Sequence, residues 1–282
     1  MNLQQLLTQR ELPTSGQDVE HFNGGVDFIG DVHGCFDSLE ALLKALGYVH
    51  DGDCFRYAGE DGPRKVIFVG DLVDRGPRIR DVMHCVHAMV EHGEAQLVMG
   101  NHEFHALSYY IPARDDPTEF IRPHTTKNFE LLKDTIAAFE GLDDEWAYLR
   151  GWLLERPIFI EHPKYRVVHA CWDHNMIDQY RERFQCNTVD RDFVLDFADR
   201  SSFAYAFLER CMRGIELCLP DGVFIRGTDG TLRDNFRARF WLENPKTYDD
   251  VIFRKYMLPD DMVGPPIMPN KQGAFMRSIK AQ

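Results

Sequence analysis

A chain of 282 residues, 44% hydrophobic and 27% charged, is long enough to bury one large core or two modest ones. Its net charge of −13 argues against nonspecific nucleic-acid binding, which needs basic surface, and no apolar run approaches the roughly 20 residues of a membrane span. Seven cysteines without a Cys-x-x-Cys pair fit scattered reduced thiols better than a disulfide framework or a zinc ribbon.

Residues 1–22 read as a polar leader without the basic start and long apolar stretch of a signal peptide, which predicts a cytoplasmic protein. After the turn Asn23-Gly24-Gly25, the run Val26-Asp27-Phe28-Ile29 reads as a buried strand ending at Gly30-Asp31-Val32-His33-Gly34. Asp37 and Ser38 can cap a helix over 39–46, whose apolar positions 39, 42, 43 and 46 share one face and which Gly47 stops. Residues 51–65, rich in Gly and Asp, predict a hairpin or loop. A second strand, Val66-Ile67-Phe68-Val69, leads into Gly70-Asp71-Leu72-Val73-Asp74-Arg75-Gly76, and a helix over 80–91 follows. A third strand, Gln96-Leu97-Val98-Met99, leads into Gly100-Asn101-His102-Glu103. This alternation of strands and helices favours an α/β fold with a largely parallel sheet and right-handed crossovers.

Residues 112–156 turn helical and polar, as a cap or insertion over the sheet would. Strand character returns at 158–160 and 165–168 around the turn His162-Pro163-Lys164. A second, mainly helical insert is expected over 174–218, then a β-rich stretch over 223–241 broken at Asp229-Gly230. These parts form one catalytic domain over 23–244, followed by a loosely held tail over 245–282.

Carboxylate, imidazole and amide groups thus occur three times just past a strand's carboxyl end, where open α/β sheets place their sites. Two divalent ions about 3.5–4 Å apart need a bridging ligand, flanking carboxylates or imidazoles, and open positions for water. Asp31 and His33, two residues apart, can face one ion, and Asp71 is the natural bridge. Asn101 offers a neutral carbonyl oxygen to the second ion and His169, after Val167-Val168, an imidazole. Such a pair activates water at neutral pH, so that phosphoryl transfer needs mainly positioning and charge neutralisation. Arg75 can fork onto two phosphate oxygens, His102 can protonate the leaving oxygen, and Asp74 can fix the His102 tautomer. An acidic chain that handles phosphate has to supply positive charge locally, through metal ions and a few arginines.

The three blocks and Val167-Val168-His169-Ala170 resemble the signature blocks of the calcineurin-like metallophosphoesterases. The Val73-Asp74-Arg75-Gly76 and Asn101-His102-Glu103 endings are most similar to the phosphoprotein-phosphatase branch, which includes dinucleoside-polyphosphatase-like enzymes. The blocks bracket residues 26–170; 40 residues separate Asp31 from Asp71 and 30 separate Asp71 from Asn101. The first gap is somewhat long for the family, and the 51–65 loop accounts for it. The resemblance implies a four-layer α-β-β-α sandwich with helical insertions, and two divalent ions, manganese first, with iron or zinc as alternatives.

The family pattern also includes a histidine, usually in a Gly-His pair near the C-terminus, that completes the second ion's shell. Here the last of twelve histidines is His174, and the final 108 residues hold none. Asp221, Asp229, Asp234 and Glu243 could substitute chemically, but their spacing singles none out. The expectation is a shortened or divergent C-terminus and a weakly held second ion.

Among the other candidates, His84, His87, His92 and His105 fit surface or helix-end positions, His124 and His162 loops, and His174 a place near the site without ligation. Cys35 and Cys171 fit small buried residues packing beneath the site. Trp172, Phe240 and Trp241 fit the core better than a substrate groove. The reading is a metal-dependent phosphoesterase acting on a phosphorylated protein or small phosphomonoester. Its rivals are a dinucleoside polyphosphate hydrolase and a catalytically weak, phosphate-binding regulatory relative.

Overall fold

The computed structural model describes residues 22–219, 224–226, 230, 232–242 and 246–253. The leader over 1–21, Asp221, Asp229, Glu243 and the tail beyond 253 lie outside the described residues.

The first half alternates β1 (Gly25–Ile29), α1 (Phe36–Ala45), β2 (Tyr48–His50), β3 (Phe55–Tyr57), β4 (Arg64–Phe68), α2 (Ile79–Glu91), β5 (Ala95–Leu97) and α3 (Asn101–Tyr110). Strands β1, β4 and β5 form a parallel sheet in that order, with Ile29 opposite Phe68 and Phe68 opposite Leu97. Their carboxyl ends are therefore level. The Gly- and Asp-rich segment becomes the antiparallel hairpin β2–β3, and a loop reconnects it to β4. Helix α1 begins three residues before the predicted start. Cys35 is its N-cap with no side-chain cap bond, and Asp37 instead pairs with Arg78 beside the next helix.

Helices α4 (Thr126–Ala138) and α5 (Asp143–Leu154) follow, then the antiparallel hairpin β6 (Phe159–His162) and β7 (Tyr165–Val168). Next come α6 (His174–Phe184), α7 (Arg191–Asp196), α8 (Phe203–Leu208) and a π-helical turn over Glu209–Arg213. Short strands β8 (Glu216–Cys218), β9 (Ile225–Arg226), β10 (Leu232–Arg233) and β11 (Asn235–Arg237) and helix α9 (Tyr248–Val251) complete the described chain. Val251 and Ile252 pack with Cys171, Phe236 and Ala238.

The layering follows from the strand period of two. On β4, Val66 and Phe68 face the helical core with Leu43, Val82 and Val86, while Ile67 points the other way. Ile67 and Val98 meet Ile160 and Val167 of the β6–β7 hairpin, which makes a dry seam between two sheets. The opposite face of β6 presents Phe159 to Tyr180 of α6 and Phe207 of α8, at ring separations of 6.0 and 6.5 Å. Helix, sheet, sheet and helix are thus stacked in that order, as the α/β sandwich requires. Full burial of each large apolar side chain in these seams contributes about 1.5–3 kcal/mol. Among the described residues, no helix is long and apolar enough to cross a membrane.

Candidate metal centre

Because the parallel strands end level, the turns after β1, β4 and β5 meet at one edge. Val32 and His33 both donate backbone N–H groups to Asp71 O, at 3.0 and 2.9 Å, and Gly34 donates to Leu72 O at 2.9 Å. Gly76 returns the contact to His33 O at 2.9 Å, and a Cβ there would sit 2.1 Å from that oxygen. Gly70 has φ +89° and lies so close to Gly100 that a Cβ would fall 2.5 Å from its nitrogen. Four non-glycine residues here also adopt left-handed backbone: His33 (φ 45°), Asp71 (55°), Asp74 (67°) and Arg75 (72°). Strain of this kind, of order 1–3 kcal/mol per residue, persists only where surrounding structure enforces it.

Glu103 supplies much of that enforcement. Its fully buried carboxylate accepts from Asp71 N and Leu72 N, both at 2.7 Å, from Gly100 N at 3.0 Å and from Val73 N at 3.3 Å. Burial and the neighbouring Asp71 push the Glu103 pKa up, but four converging amide donors need an ionised acceptor. The sequence showed Glu103 only as part of a motif. Its clamping role depends on a contact spanning 32 residues, which no local pattern encodes.

Asp71 stands at the centre of the ligand groups. One cluster joins Asp31, Asp71 and His169 and another joins His33, Asp71 and His102, with ligand atoms within 4.8 Å of one another in each. His33 directs Nδ1 at Val73 O, 2.8 Å away, so that nitrogen carries the proton and Nε2 presents a lone pair. Burial lowers the His33 pKa and keeps the ring neutral. Its Nε2 is buried without a hydrogen-bond partner among the described residues, 3.7 Å from an Asp71 oxygen and 3.9 Å from an Asp31 oxygen. A lone pair facing two carboxylates is a poor arrangement for hydrogen bonding and a good one for a cation.

His169 is anchored in the same way: Nδ1 contacts Val69 O at 2.5 Å and Nε2 lies 3.4 Å from Asp71. Burial opposes protonation of His169, but the adjacent Asp71 carboxylate outweighs it and holds the pKa at about 9. Burial would likewise raise the Asp71 pKa, yet His169 and His102 hold it well below the usual carboxylate range. Asn101 places its amide 3.1 Å from Met212 O and 3.3 Å from His169 Nε2; turned over, its nitrogen would donate to both. An amide oxygen facing those two atoms suits a shared cation. The donor set of two carboxylates, two imidazoles and an amide therefore fits divalent metal ions.

His102 sits beside this cluster. Asp74 Oδ2 accepts from its Nδ1 at 2.6 Å, and Arg75 reaches its Nε2 at 3.2 Å. Asp74 is itself held from the helical segment: Thr135 of α4 accepts from Asp74 N at 3.0 Å and donates to Asp74 Oδ1. Thr135 was not foreseen, because it lies 61 residues away in sequence.

A family model described as calcineurin-like phosphoesterase matches residues 25–183, more than half of the chain. The chain belongs to this family. The family is one of metal-dependent phosphoesterases. Among curated relatives, the bis(5'-nucleosyl)-tetraphosphatase PrpE [asymmetrical] of Anoxybacillus flavithermus is 45% identical over 27% of this chain and 30% of its own length. The symmetrical bis(5'-nucleosyl)-tetraphosphatase of Vibrio parahaemolyticus is 31% identical over 50% of this chain and 42% of its own. The matched part spans less than half of either relative. Among solved structures, a cold-active protein-tyrosine phosphatase of a psychrophilic Shewanella aligns at TM-score 0.38 and 18% identity, over 64% of this chain and 55% of that one. That likeness is too loose to bear on function.

Several side chains depart from their predicted settings. Cys35 is exposed, because the helix begins immediately after it, whereas Cys171 is fully buried. His105 is half-buried on α3 rather than on the surface, and burial pushes its pKa well below the ordinary range. His162 is buried at the end of β6, stacked 4.4 Å from Tyr165. His124 lies in a loop, as expected, stacked between Tyr109 and Phe120 at 3.9 and 4.1 Å. Trp241 is 54% exposed rather than core. Asp234 is exposed and belongs to neither ligand cluster among the described residues.

Proposed function

We propose that this phosphoesterase hydrolyses a dinucleoside polyphosphate at the Asp71-centred cluster, through a single catalytic domain over 23–244 working in the cytoplasm. The observation that carries the reading is the name bis(5'-nucleosyl)-tetraphosphatase, shared by relatives aligned over 27% and 50% of the chain. In this reading Asp31, His33 and Asp71 hold one divalent ion, and Asp71, Asn101 and His169 hold a second, weaker one, with manganese the first candidate. Bound there, the ions would supply Lewis-acid neutralisation of the phosphate and an activated water.

The chain's own residues do the rest. Arg75 forks onto the non-bridging oxygens of the scissile phosphate, which frees His102 Nε2 from its present contact. Asp74 keeps the Nδ1 proton in place, so a proton carried on Nε2 is aimed at the leaving oxygen. Thr135 fixes the Asp74 rotamer, and Glu103 fixes the turn that carries Asp71.

The test is one assay with added manganese and three substrates: diadenosine tetraphosphate, a phosphopeptide and p-nitrophenyl phosphate. Preferred cleavage of diadenosine tetraphosphate supports the proposal, and the products distinguish two ADP from ATP plus AMP. Preference for the phosphopeptide supports the second reading, phosphomonoester hydrolysis, to which the Asp74-Arg75 and Asn101-His102-Glu103 endings lean. No turnover of any substrate, with phosphate still bound, identifies a regulatory relative.

A further inference from the structure

The π-helical turn over Glu209–Arg213 lies against the chain that follows His169. Cys211 O accepts the backbone N–H of Ala170 at 2.8 Å and that of Cys171 at 3.3 Å, so the two residues after His169 are tied to this turn. Arg210 Nε adds a contact to the buried Asp173 carboxylate at 3.5 Å. A π-helix pairs each carbonyl with the N–H five residues on rather than four. For Met212 that residue is Leu217, which lies in β8, and the chain has already left the turn at Gly214, with φ 83°. Met212 is buried, and its carbonyl oxygen accepts no hydrogen bond from the described residues. Buried carbonyls are nearly always paired, so this one calls for a partner of another kind.

The Asn101 side-chain oxygen faces Met212 O at 3.1 Å. Both atoms are acceptors only, and no protonation state of a neighbour puts a proton between them. The same amide oxygen lies 3.3 Å from His169 Nε2, which is itself 3.4 Å from Asp71 Oδ1. Turning the Asn101 amide over would give Met212 O a donor. It would also aim the amide oxygen at His102 N, which already donates to Asp71 Oδ1 at 3.0 Å. A cation satisfies both oxygens without that exchange. Adjacent oxygens around an octahedral ion, each about 2.1 Å from it, lie about 3 Å apart. Asn101 and Met212 show that separation.

We infer that the Met212 backbone carbonyl is a ligand of the second ion, beside Asp71, Asn101 and His169. The inference rests on the reading that those three residues hold such an ion. Three oxygens and one imidazole make an oxygen-rich set, which suits manganese or magnesium. Because the ligand is a main-chain atom, the π-helical turn supplies it, and the side chain at 212 does not.

The experiment uses protein labelled with [1-13C]methionine and loaded with manganese. Bound ions are counted by equilibrium dialysis, and 13C electron–nuclear double resonance reads whether a labelled carbonyl is bonded to manganese. An isotropic 13C coupling should appear as the second ion fills. Met212→Leu keeps the carbonyl but removes its label, while the other methionines stay labelled. That variant should lose the coupling and keep its second-ion affinity within about twofold, as a volume-conserving swap leaves the backbone in place. Two bound ions without the coupling, or a coupling that survives in Met212→Leu, overturn the carbonyl ligand and leave the second ion standing. Loss of the second ion in Met212→Leu assigns its hold to the side chain and also overturns the main-chain ligand. One bound ion in the wild type overturns this inference together with the two-ion reading beneath it.

Discussion

The Glu103 carboxylate receives the backbone N–H of Asp71 at 2.7 Å, so a buried acid 32 residues away in sequence holds the bridging ligand's turn in place. Glutamine at position 103 keeps the shape but turns an amide group toward amide donors. Glu103→Gln should cost about 2–3 kcal/mol of folding stability. Metal affinity should fall about 10–100-fold, the usual cost of losing an outer support of a ligand. Chemical denaturation and metal titration check both, and a variant matching the wild type in both would refute the clamp.

His102 should matter in proportion to how poor the leaving group is. His102→Ala is expected to lower kcat by roughly 10²–10⁴ on an alkyl phosphate and by less on p-nitrophenyl phosphate, whose leaving group needs little protonation. Thr135→Val leaves His102 in place but releases Asp74, and should give a smaller loss with the same leaving-group trend. A uniform loss across leaving groups would assign His102 to binding instead.

Chelation should abolish activity, and manganese should restore it. Titrating metal back should give two steps, the first through Asp31, His33 and Asp71 and a weaker second through Asn101 and His169. Asp71→Asn should remove both steps because Asp71 is the ligand that the two proposed ions share. A single tight step of two ions per chain would contradict the asymmetry.

Away from the site, Asp27 on β1 accepts from Arg64 at 3.0 Å and Tyr48 at 2.9 Å, and its pKa is lowered chiefly by Arg64. A carboxylate with a depressed folded pKa stabilises above its unfolded value, near 4, and loses that contribution as pH falls through the folded pKa. Asp27→Asn should therefore cost about 1 kcal/mol at pH 7, and the gap from wild type should close below about pH 4. Urea midpoints at pH 7 and pH 3 measure it; a gap that does not narrow in acid would exclude the pair.

The strands that end at Asp31, Asp71 and Asn101 were legible because each is a short apolar run stopped by a glycine turn. What links them was not. Glu103 and Thr135 act across 32 and 61 residues, and nothing local marks a carboxylate as aimed at backbone rather than at metal. The start of α1 was misplaced for a related reason. Asp37 is a good cap in isolation, but its tertiary partner Arg78 draws it into the first turn. His162 reads as a loop residue beside a proline, while the pairing of β6 with β7 and the Tyr165 ring bury it.

The left-handed backbone at His33, Asp71, Asp74 and Arg75 sets the direction in which this sequence can be improved. Glycine at any of these positions relaxes the chain and removes a functional side chain. Selection for heat tolerance alone would therefore drift toward a tougher, inert protein. Selection that retains turnover would have to find its gains elsewhere, in the seam where Ile67 and Val98 meet Ile160 and Val167.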